Sequence, residues 1–414
     1  MSIHLFALDY RGLPASVRDK VAVPEADAQR VLARLAASPF LSETVLLVTC
    51  HRCEVYVAAF DPARAAAWVQ TVFSGDIPPL AWRHAAGPDA VHHLCRVACG
   101  LDSSVLGEAQ VLGQVRRAWA AAVDAGTAGR LLNRLFQVVL SAGKRARLVG
   151  LGGRRASLAE VALHLAIRHL GDLDRRRALV IGSGRMAGTV VQALRGRGVR
   201  EVVVAARRPE RAAALGGPVV SVPLSRLSEE LVDADIGVSA TSASSAVIDA
   251  ETVKHVMARR RHPLILVDLA VPRDIDPAVR GIEGVTLFDA DDVAAHASEI
   301  ITPPAGVVQR AEAVAAASAA AFERWERART FAPSIARLRF RAERIQRAQV
   351  EKALRRLPNL TERERAVVEQ MAAAIVNRML HVPIVRLKAE GTNGGGELLQ
   401  HALDALFDLD GERA

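Results

Sequence analysis

The sequence lacks any apolar run that approaches the ~18 residues needed to cross a bilayer. Its first five residues, Met-Ser-Ile-His-Leu, have neither the basic start nor the apolar core of a secretory signal. We therefore expect a cytoplasmic protein that does not enter a membrane.

Cysteine is also scarce. The chain has four cysteines in 414 residues, and all fall in the first quarter: Cys50, Cys53, Cys95 and Cys99. So few cysteines in a cytosolic chain argue against disulfide staples and favour a metal or reactive site. The spacings Cys-x-x-Cys and Cys-x-x-x-Cys could supply zinc ligands. The last two cysteines lie in an apolar, helix-like run, which equally fits buried core residues.

The remaining composition is that of a folded protein with more than one domain. Hydrophobic residues make up 50% of the chain and charged residues 24%, as in ordinary globular proteins. A chain of 414 residues exceeds one ordinary core, so two to three domains are expected. The net charge of +9 permits a polyanionic partner such as RNA, although the charge also fits mere solubility.

The pattern of apolar residues changes twice along the chain. Up to about residue 155, short strands (3–8, 45–48 and 55–60) mix with helical segments, which indicates an α+β domain. Strands then alternate with helices up to residue 292, which predicts a parallel, doubly wound sheet. Beyond residue 293 only helical patterns remain, and such helices usually bundle or dimerise. One of these helices is predicted over residues 361–379, with Thr361 and Glu364 as a capping box at its start.

The segment 49–54, Thr-Cys-His-Arg-Cys-Glu, joins two apolar runs and must form a sharp connection at the end of a strand. It holds the Cys50 thiol beside an arginine. A neighbouring cation lowers the pKa of a thiol, and the thiolate is the nucleophilic form. We therefore expect covalent chemistry at Cys50.

A glycine-rich turn follows the strand predicted at 178–181. Residues 182–188, Gly-Ser-Gly-Arg-Met-Ala-Gly, fit the Gly-x-Gly-x-x-Ala fingerprint of dinucleotide sites. Gly182 permits the tight turn, Gly184 lets the backbone approach a pyrophosphate, and Ala187 lets the helix pack on the strand. The alternative is a simple strand-to-helix turn. The predicted cofactor-binding residues are Gly182, Ser183, Gly184, Arg185, Met186, Ala187, Arg207 and Arg208.

The end of the next strand favours NADPH over NADH. NAD-binding proteins usually carry an acidic residue there, whereas this chain has Arg207 and Arg208. Two guanidinium groups suit the 2′-phosphate of NADPH. A solvated basic turn is the alternative.

A polar segment at residues 100–110 has two interpretations. Asp102 or Ser103 could simply cap a helix. Alternatively, Ser103, Glu108 and Gln110 form a polar pocket near Cys50.

Four colinear blocks resemble the glutamyl-tRNA reductase family. Residues 48–54 (Val-Thr-Cys-His-Arg-Cys-Glu) are similar to the family's Ser-Thr-Cys-Asn-Arg-Thr-Glu block. Residues 96–115 resemble its Arg-Val-Ala-Ser-Gly-Leu-Asp-Ser block with the Leu-Gly-Glu and Gln-Ile-Leu-Gly-Gln-Val that follow. Residues 267–274 and 377–383 match a third and a fourth block. The resemblance spans nearly the whole chain and is more specific than the glycine turn alone.

The resemblance implies an NADPH-dependent reduction of glutamyl-tRNA to glutamate-1-semialdehyde, the first step of tetrapyrrole (5-aminolevulinate) biosynthesis by this route. Cys50 would attack the aminoacyl ester, and hydride would reduce the resulting thioester. The family pattern gives Cys50 and His93 as catalytic residues and needs no metal. The implied substrate-binding residues are Thr49, Arg52, Ser103, Glu108 and Gln110.

The resemblance also implies the domain organisation of a homodimer. The catalytic domain would span residues 1–155, the NADPH-binding Rossmann-like domain 156–292, a long spinal helix 293–330 and an all-α dimerisation domain 331–414. The unstable semialdehyde implies a semialdehyde aminomutase as a further partner.

The chain departs from the family within the catalytic domain. Asp9 and Tyr10 begin a stretch that replaces Asn-His-Lys-Thr-Ala-Pro, and His51, Cys53 and Cys99 replace Asn, Thr and Ser. The alternatives are a paralogue that reduces another activated acyl group, a non-catalytic tRNA-binding or regulatory relative, a zinc protein, and a dehydrogenase acting on a free small molecule.

Overall fold

The computed structural model describes residues 1–9, 23, 27–49, 52–73, 82–152, 157–212, 215, 218–243, 245–390 and 396–409. Cys50, His51 and Tyr10 therefore lie outside the described residues. The chain divides into two compact units, Met1–Ala319 and Ala320–Ala414.

An antiparallel sheet organises the amino-terminal part of the first unit. Its strands are β1 (Ser2–Asp9), β2 (Leu41–Val48), β3 (Arg52–Ala59) and β4 (Arg83–Ala86), in the order β2-β3-β1-β4. The first three strands confirm the predicted ones. The sequence did not reveal β4, because it has four residues and no buried apolar face.

In the described part of the chain, five helices pack around this sheet: α1 (Ala28–Ala36), α2 (Pro62–Val72), α3 (Pro88–Cys99), α4 (Ala109–Asp124) and α5 (Arg130–Leu148). Glu43 of β2 fixes the start of α5, since its buried carboxylate accepts bonds from the Leu131 N–H (3.0 Å) and the Leu132 N–H (2.7 Å). A carboxylate at this end of a helix satisfies orphan N–H groups and complements the helix dipole.

The sharp connection predicted around residue 50 joins β2 to β3. Val48 lies opposite Cys53 in the antiparallel ladder. The Thr49 N–H donates to the Arg52 carbonyl at 2.9 Å. Cys50 and His51, which lie between Thr49 and Arg52 in the sequence, are not among the described residues.

The second half of the first unit contains a six-stranded parallel sheet, in the order β10-β9-β8-β5-β6-β7. Its strands are β5 (Arg177–Ile181), β6 (Glu201–Ala206), β7 (Val220–Pro223), β8 (Ile236–Ser239), β9 (Leu264–Asp268) and β10 (Val285–Phe288). Its helices are α6 (Leu158–Leu170), α7 (Arg185–Gly196), α8 (Pro209–Ala212), α9 (Leu227–Asp233), α10 (Ala250–Arg259), α11 (Ala290–Ala295) and α12 (Ala297–Ile300).

This order is that of a complete Rossmann sheet, 3-2-1-4-5-6 in the sequence of its own strands. An apolar core covers each face, because successive side chains of a strand point to opposite sides. Ala178 and Val180 of β5 belong to one core, and Leu179 and Ile181 belong to the other. The predicted doubly wound sheet is confirmed. The short strands β7 and β10 were not predicted.

The last strand ends at Phe288, and the remainder is helical as predicted. The long helices are α13 (Val307–Thr330), α14 (Ala332–Arg356), α15 (Glu362–Glu390) and α16 (Gly396–Leu406). Residues 293–306, which the domain prediction assigned to the spinal helix, contain the end of α11, the short α12 and an irregular segment before α13 begins.

Helix α15 begins where it was predicted to begin, but it ends later than predicted. The predicted capping box at its start is confirmed, since the Thr361 N–H donates to Glu364 Oε2 at 2.8 Å and the Glu364 N–H donates to Thr361 Oγ1 at 3.4 Å. The predicted end at Met379 is wrong. The helix continues through Pro383, because Ile384 and Leu387 beyond the proline pack in the core of the second unit.

None of the helices in the described part of the chain is both long enough and apolar enough to cross a membrane.

Candidate active site

A buried charge network forms where β3 begins. Arg52 Nη1 donates to Asp102 Oδ2 at 2.8 Å and to Glu54 Oε1 at 3.1 Å, and Nη2 donates to the Asp102 carbonyl. The Arg52 side chain is only 7% exposed. Burial opposes its charge, but the two carboxylates outweigh that effect and raise the Arg52 pKa above its ordinary value. These contacts use three of the five guanidinium N–H donors.

Glu54 connects this network to His93 on α3. The Glu54 carboxylate accepts a 2.6 Å bond from the Tyr56 hydroxyl and a 2.7 Å bond from His93 Nε2. Burial would raise the Glu54 pKa, but His93, Arg52 and Tyr56 together lower it to about 2. Arg83 of β4 donates to His93 Nδ1 at 2.9 Å, so both ring nitrogens of His93 have partners.

The segment between α3 and α4 supplies a further carboxyl group and two orphan hydroxyls. Burial raises the pKa of Glu108 to about 7, although the charge of Arg52 opposes the increase. Ser103 Oγ and Ser104 Oγ are buried, and neither has a hydrogen-bond partner in the described part of the chain. A buried hydroxyl without a partner is costly, so these atoms mark a place where a bound group could bond.

The helix-cap interpretation of this segment is wrong. Helix α4 begins only at Ala109, and its cap residue is Glu108, which makes no side-chain cap bond. Asp102 binds Arg52 instead of capping a helix. The polar-pocket interpretation remains a prediction, because Cys50 lies outside the described residues.

The glycine turn has the shape that a dinucleotide site requires. Gly182 has a φ of +112°, and a Cβ on it would lie 2.8 Å from the Ala240 carbonyl oxygen. A Cβ on Gly184 would meet no protein atom, so the backbone faces open space there. Helix α7 starts directly after Gly184 with no side chain capping it, and its N–H groups can bind a pyrophosphate.

This turn opens into a cleft of about 1210 Å³. Both sheets contribute to its walls. From the amino-terminal domain come Val48, Thr49, Gln110, Gln114 and Arg117. The Rossmann domain contributes residues 182–186, the Arg207–Arg208 pair, Arg211 and the loops that follow β8 and β9. The cleft therefore joins the residue preceding Cys50 to the glycine turn.

A pair of buried aspartates holds two loops that line the cleft. Asp274 accepts bonds from Ser239 Oγ (2.7 Å) and from the Thr241 N–H (2.8 Å). Asp268 accepts bonds from the N–H groups of Ala270, Asp274 and Ile275. Burial, together with the nearby Asp274, raises the pKa of Asp268 to about 7 against the effect of these bonds. The pair thus ties together the loops that follow β8 and β9.

The three described cysteines are core residues. Cys95 and Cys99 are free and buried, and Cys53 is buried as well. Burial raises the pKa of Cys95 to about 12 and that of Cys99 to about 11, which suppresses their thiolate forms. Within the described ranges, no group of three or more His, Cys, Asp or Glu residues could hold a metal ion.

The predicted site residues fall into two places. Arg52, His93, Ser103 and Glu108 lie in or near the charge network. Thr49, Gln110 and all eight predicted cofactor residues except Ala187 line the cleft, and Ala187 is buried beneath it. Gln110 bonds to the Rossmann domain, through Thr189 at 2.9 Å.

Several cleft and network residues were missed from the sequence. Gln114 and Arg117 follow Gln110 by four and seven residues, so they share one face of α4, and this spacing was the available signal. The sequence carried no such signal for the bond between Arg83 and His93 or for the bond between Arg52 and Asp102, because the partners lie on different elements of the fold.

Comparisons with known proteins agree with this architecture. Residues 6–148 match the model of the glutamyl-tRNA reductase N-terminal domain. Residues 164–296 match shikimate/quinate 5-dehydrogenase, and residues 310–409 match the glutamyl-tRNA reductase dimerisation domain.

Full-length relatives and a solved structure are also similar. The glutamyl-tRNA reductase of Rubrobacter xylanophilus is 40% identical over 97% of this chain and 95% of its own. That of Carboxydothermus hydrogenoformans is 34% identical over 100% and 94%, respectively. The structure of the Methanopyrus kandleri glutamyl-tRNA reductase is 28% identical, covers 97% of this chain and 98% of its own, and has a TM-score of 0.47.

The Rossmann sheet, its glycine turn at the strand-order reversal and the match to shikimate/quinate 5-dehydrogenase together indicate an oxidoreductase that uses a nicotinamide cofactor. The three domain matches, together with the relatives that are 34% and 40% identical over nearly the whole chain, narrow this class of oxidoreductase to one family. The chain belongs to the glutamyl-tRNA reductase family.

Glu108→Gln should change how stability depends on pH. Burial raises the pKa of Glu108 to about 7 in the folded protein, above the ordinary value of 4.5, so the wild type loses stability as pH rises from about 4.5 through 7. A neutral glutamine should remove this loss, which is on the order of 3 kcal/mol at most. Urea unfolding between pH 5 and 8 measures it. The control is Glu210→Gln, at an exposed position. A stability difference that stays constant with pH would contradict the assignment.

Proposed function

We propose that this protein reduces glutamyl-tRNA to glutamate-1-semialdehyde with NADPH through a thioester on Cys50. One observation carries the proposal. Thr49, which precedes Cys50, and the Gly182–Arg185 turn line the same cleft. A thioester formed at residue 50 would therefore lie in the compartment that binds the cofactor.

The first step is acyl transfer. The Cys50 thiolate attacks the ester carbonyl of glutamyl-tRNA, a C–S bond forms, and the ester C–O bond breaks to release the tRNA hydroxyl, which takes up a proton. The Gly182–Arg185 turn would hold a reduced nicotinamide cofactor, which would supply the hydride that, with a proton, converts the thioester into the aldehyde and the free Cys50 thiol. The thioester accepts hydride more readily than the starting ester would.

The charge network supports a binding site for the glutamyl group. Within the described part of the chain, the bonds of Arg52 to Glu54 and Asp102 use three of its five N–H donors, and the guanidinium could also bind a substrate carboxylate. The unpartnered hydroxyl of Ser103 lies next to Asp102 in the chain and could bind the same group. His93 is held between Glu54 and Arg83, an arrangement that orients its ring for a role in acyl transfer.

NADPH is the proposed cofactor because three arginines border the cleft after β6. Arg207, Arg208 and Arg211 supply positive charge where an adenosine ribose would lie. No acidic residue follows β6 at the first two positions to bind a ribose 2′-hydroxyl. A 2′-phosphate fits this surface.

The proposed assembly is a homodimer formed through α15. One face of this helix contributes to the core of the second unit through Leu380, Ile384 and Leu387. The opposite face exposes an apolar stripe, which consists of Val367, Met371, Ile375, Met379, Val382 and Val385. An exposed stripe of this length on a region that matches a dimerisation domain fits a second copy of the chain. A semialdehyde aminomutase that consumes the unstable product is the further proposed partner.

Cys50→Ser should abolish semialdehyde formation while NADPH binding persists, because the hydroxyl of serine is a much weaker nucleophile than a thiolate. Product formation and cofactor binding are measured on the same preparation. Cys53→Ala is the matched control, since Cys53 is fully buried in β3 and should not react. Semialdehyde production by the Cys50→Ser protein would eliminate the covalent step.

Arg207→Ala should weaken NADPH binding by roughly tenfold or more and leave NADH binding nearly unchanged, since only NADPH carries the 2′-phosphate. Titration of each cofactor measures the two dissociation constants. Arg200→Ala is the control, because Arg200 is exposed and precedes β6 at the opposite end of the strand. Equal losses for both cofactors would refute the choice of NADPH.

Met379→Glu should convert the dimer into a monomer, because it would place a carboxylate within the apolar stripe of α15, where a second copy would exclude water. Light scattering after size-exclusion chromatography gives the mass. Gln370→Glu adds the same charge on the same helix at an exposed position outside the stripe and should remain dimeric. An unchanged mass for Met379→Glu would place the interface elsewhere.

A further inference from the structure

The cleft beside the glycine turn is larger and more positively charged than one small ligand requires. Its volume of about 1210 Å³ exceeds the range of roughly 300–1,000 Å³ that is usual for a single small-molecule ligand. The described residues that line it include no aspartate or glutamate, whereas five of them are arginines: Arg117, Arg185, Arg207, Arg208 and Arg211. Such a cleft attracts phosphate groups, and its size leaves room for those of a second ligand.

The arginines are divided between the two walls of the cleft. Four of them belong to the Rossmann domain, where Arg185 follows the glycine turn and the other three follow β6. These four lie where the phosphates of a dinucleotide would bind. Arg117 lies on the opposite wall, on α4, and is the one charged residue among the described residues of that wall. The dinucleotide does not account for it.

The Arg117 side chain extends back along α4. It is half-buried, and a Cβ added to Gly113 would lie 3.4 Å from Arg117 Nη1. Gly113 is about one helical turn nearer the start of α4. The guanidinium therefore lies toward the end of the helix where Gln110 and Gln114 line the same cleft.

Small apolar side chains surround this cation. Ala118 and Ala121 share a face of α4 with Arg117, because residues three and four positions apart in a helix are neighbours. Opposite them, Leu46 and Val48 lie on one face of β2 and line the cleft as well. A nucleic-acid base can pack flat against such a surface. This wall thus offers a cation for a phosphate and an apolar surface for a base.

We propose that one face of α4 binds the 3′-terminal nucleotide of the tRNA; this face consists of Gln114, Arg117, Ala118 and Ala121. The inference rests on the proposed function, because the ester that Cys50 would attack joins the glutamyl group to the ribose of this nucleotide. That ribose must enter the cleft, and its base and phosphate must enter with it. The Arg117 guanidinium pairs with the phosphate that precedes the terminal adenosine, and the base lies against the two alanines.

Two RNAs test this assignment without any reaction. One is the uncharged tRNA for glutamate with its complete 3′ end, and the other is the same tRNA without its terminal adenosine nucleotide. Both are titrated at one salt concentration, because affinity for RNA depends on salt. Wild type should bind the complete tRNA at least tenfold more tightly than the shortened one. In Arg117→Ala this preference should fall to about threefold or less, because one partner of the charged contact is missing.

Matched variants separate the contact from a general effect of charge or folding. Arg116→Ala removes the same charge from an exposed position on α4 and should keep the wild-type preference for the complete tRNA. Arg117→Lys keeps a positive charge at the site and should retain most of the preference, which damage to the helix would not allow. The dissociation constant for NADPH should stay within about twofold of wild type in Arg117→Ala, since the cofactor's phosphates lie at the other wall.

An Arg117→Ala protein that keeps the full preference for the complete tRNA would overturn the inference. A wild-type protein that binds both RNAs equally would overturn it too. A loss of NADPH affinity in Arg117→Ala as large as the loss of tRNA affinity would assign the residue to the cofactor instead. The titrations need no catalysis, so they decide the inference even if wild type forms no acyl-enzyme and the proposed thioester step fails.

Discussion

The ion pair between Arg52 and Asp102 is the interaction on which the rest of the site depends. It buries a guanidinium that is 7% exposed, and such a charge is tolerated only when it is paired and hydrogen-bonded. Glu54, Tyr56 and His93 extend the pairing, so removing one member would leave another charge buried without a partner. Asp102 also anchors the segment that leads to α4 and thence to the cofactor domain.

The cleft follows from this arrangement. The hairpin of β2 and β3 places Thr49 at one wall, and the strand-order reversal of the Rossmann sheet places Gly182 at the other. The Asp268 and Asp274 carboxylates hold the loops that follow β8 and β9, because they accept hydrogen bonds from backbone N–H groups of these loops. Thr49 and the glycine turn are brought to one cleft by domain geometry, and no single sequence motif contains both.

The sequence was informative wherever structure is local. The β5–α7 turn could be predicted, because Gly182 requires a positive φ and the flanking runs have clear periodicities. Thr361 and Glu364 likewise marked the start of α15. The short strands β4, β7 and β10 contain too few apolar residues to be predicted from the sequence. Helix α15 passed its expected end, since packing of Ile384 and Leu387 outweighs the cost of a proline.

Contacts between residues far apart in the sequence could not be predicted from such local patterns. Arg52 and Asp102 are 50 residues apart, and Gln110 and Thr189 are 79 residues apart, so no periodicity links them. The family resemblance identified Arg52, His93, Ser103, Glu108 and Gln110 as a set. It did not reveal that Gln110 bonds to the cofactor domain.

The intact mass of the wild-type protein, mixed with charged glutamyl-tRNA without NADPH, tests the central claim most directly. The account predicts a gain of one glutamyl group on the peptide that contains Cys50 and its loss when NADPH is added. An unmodified Cys50, or a glutamyl group on any other residue, would contradict it.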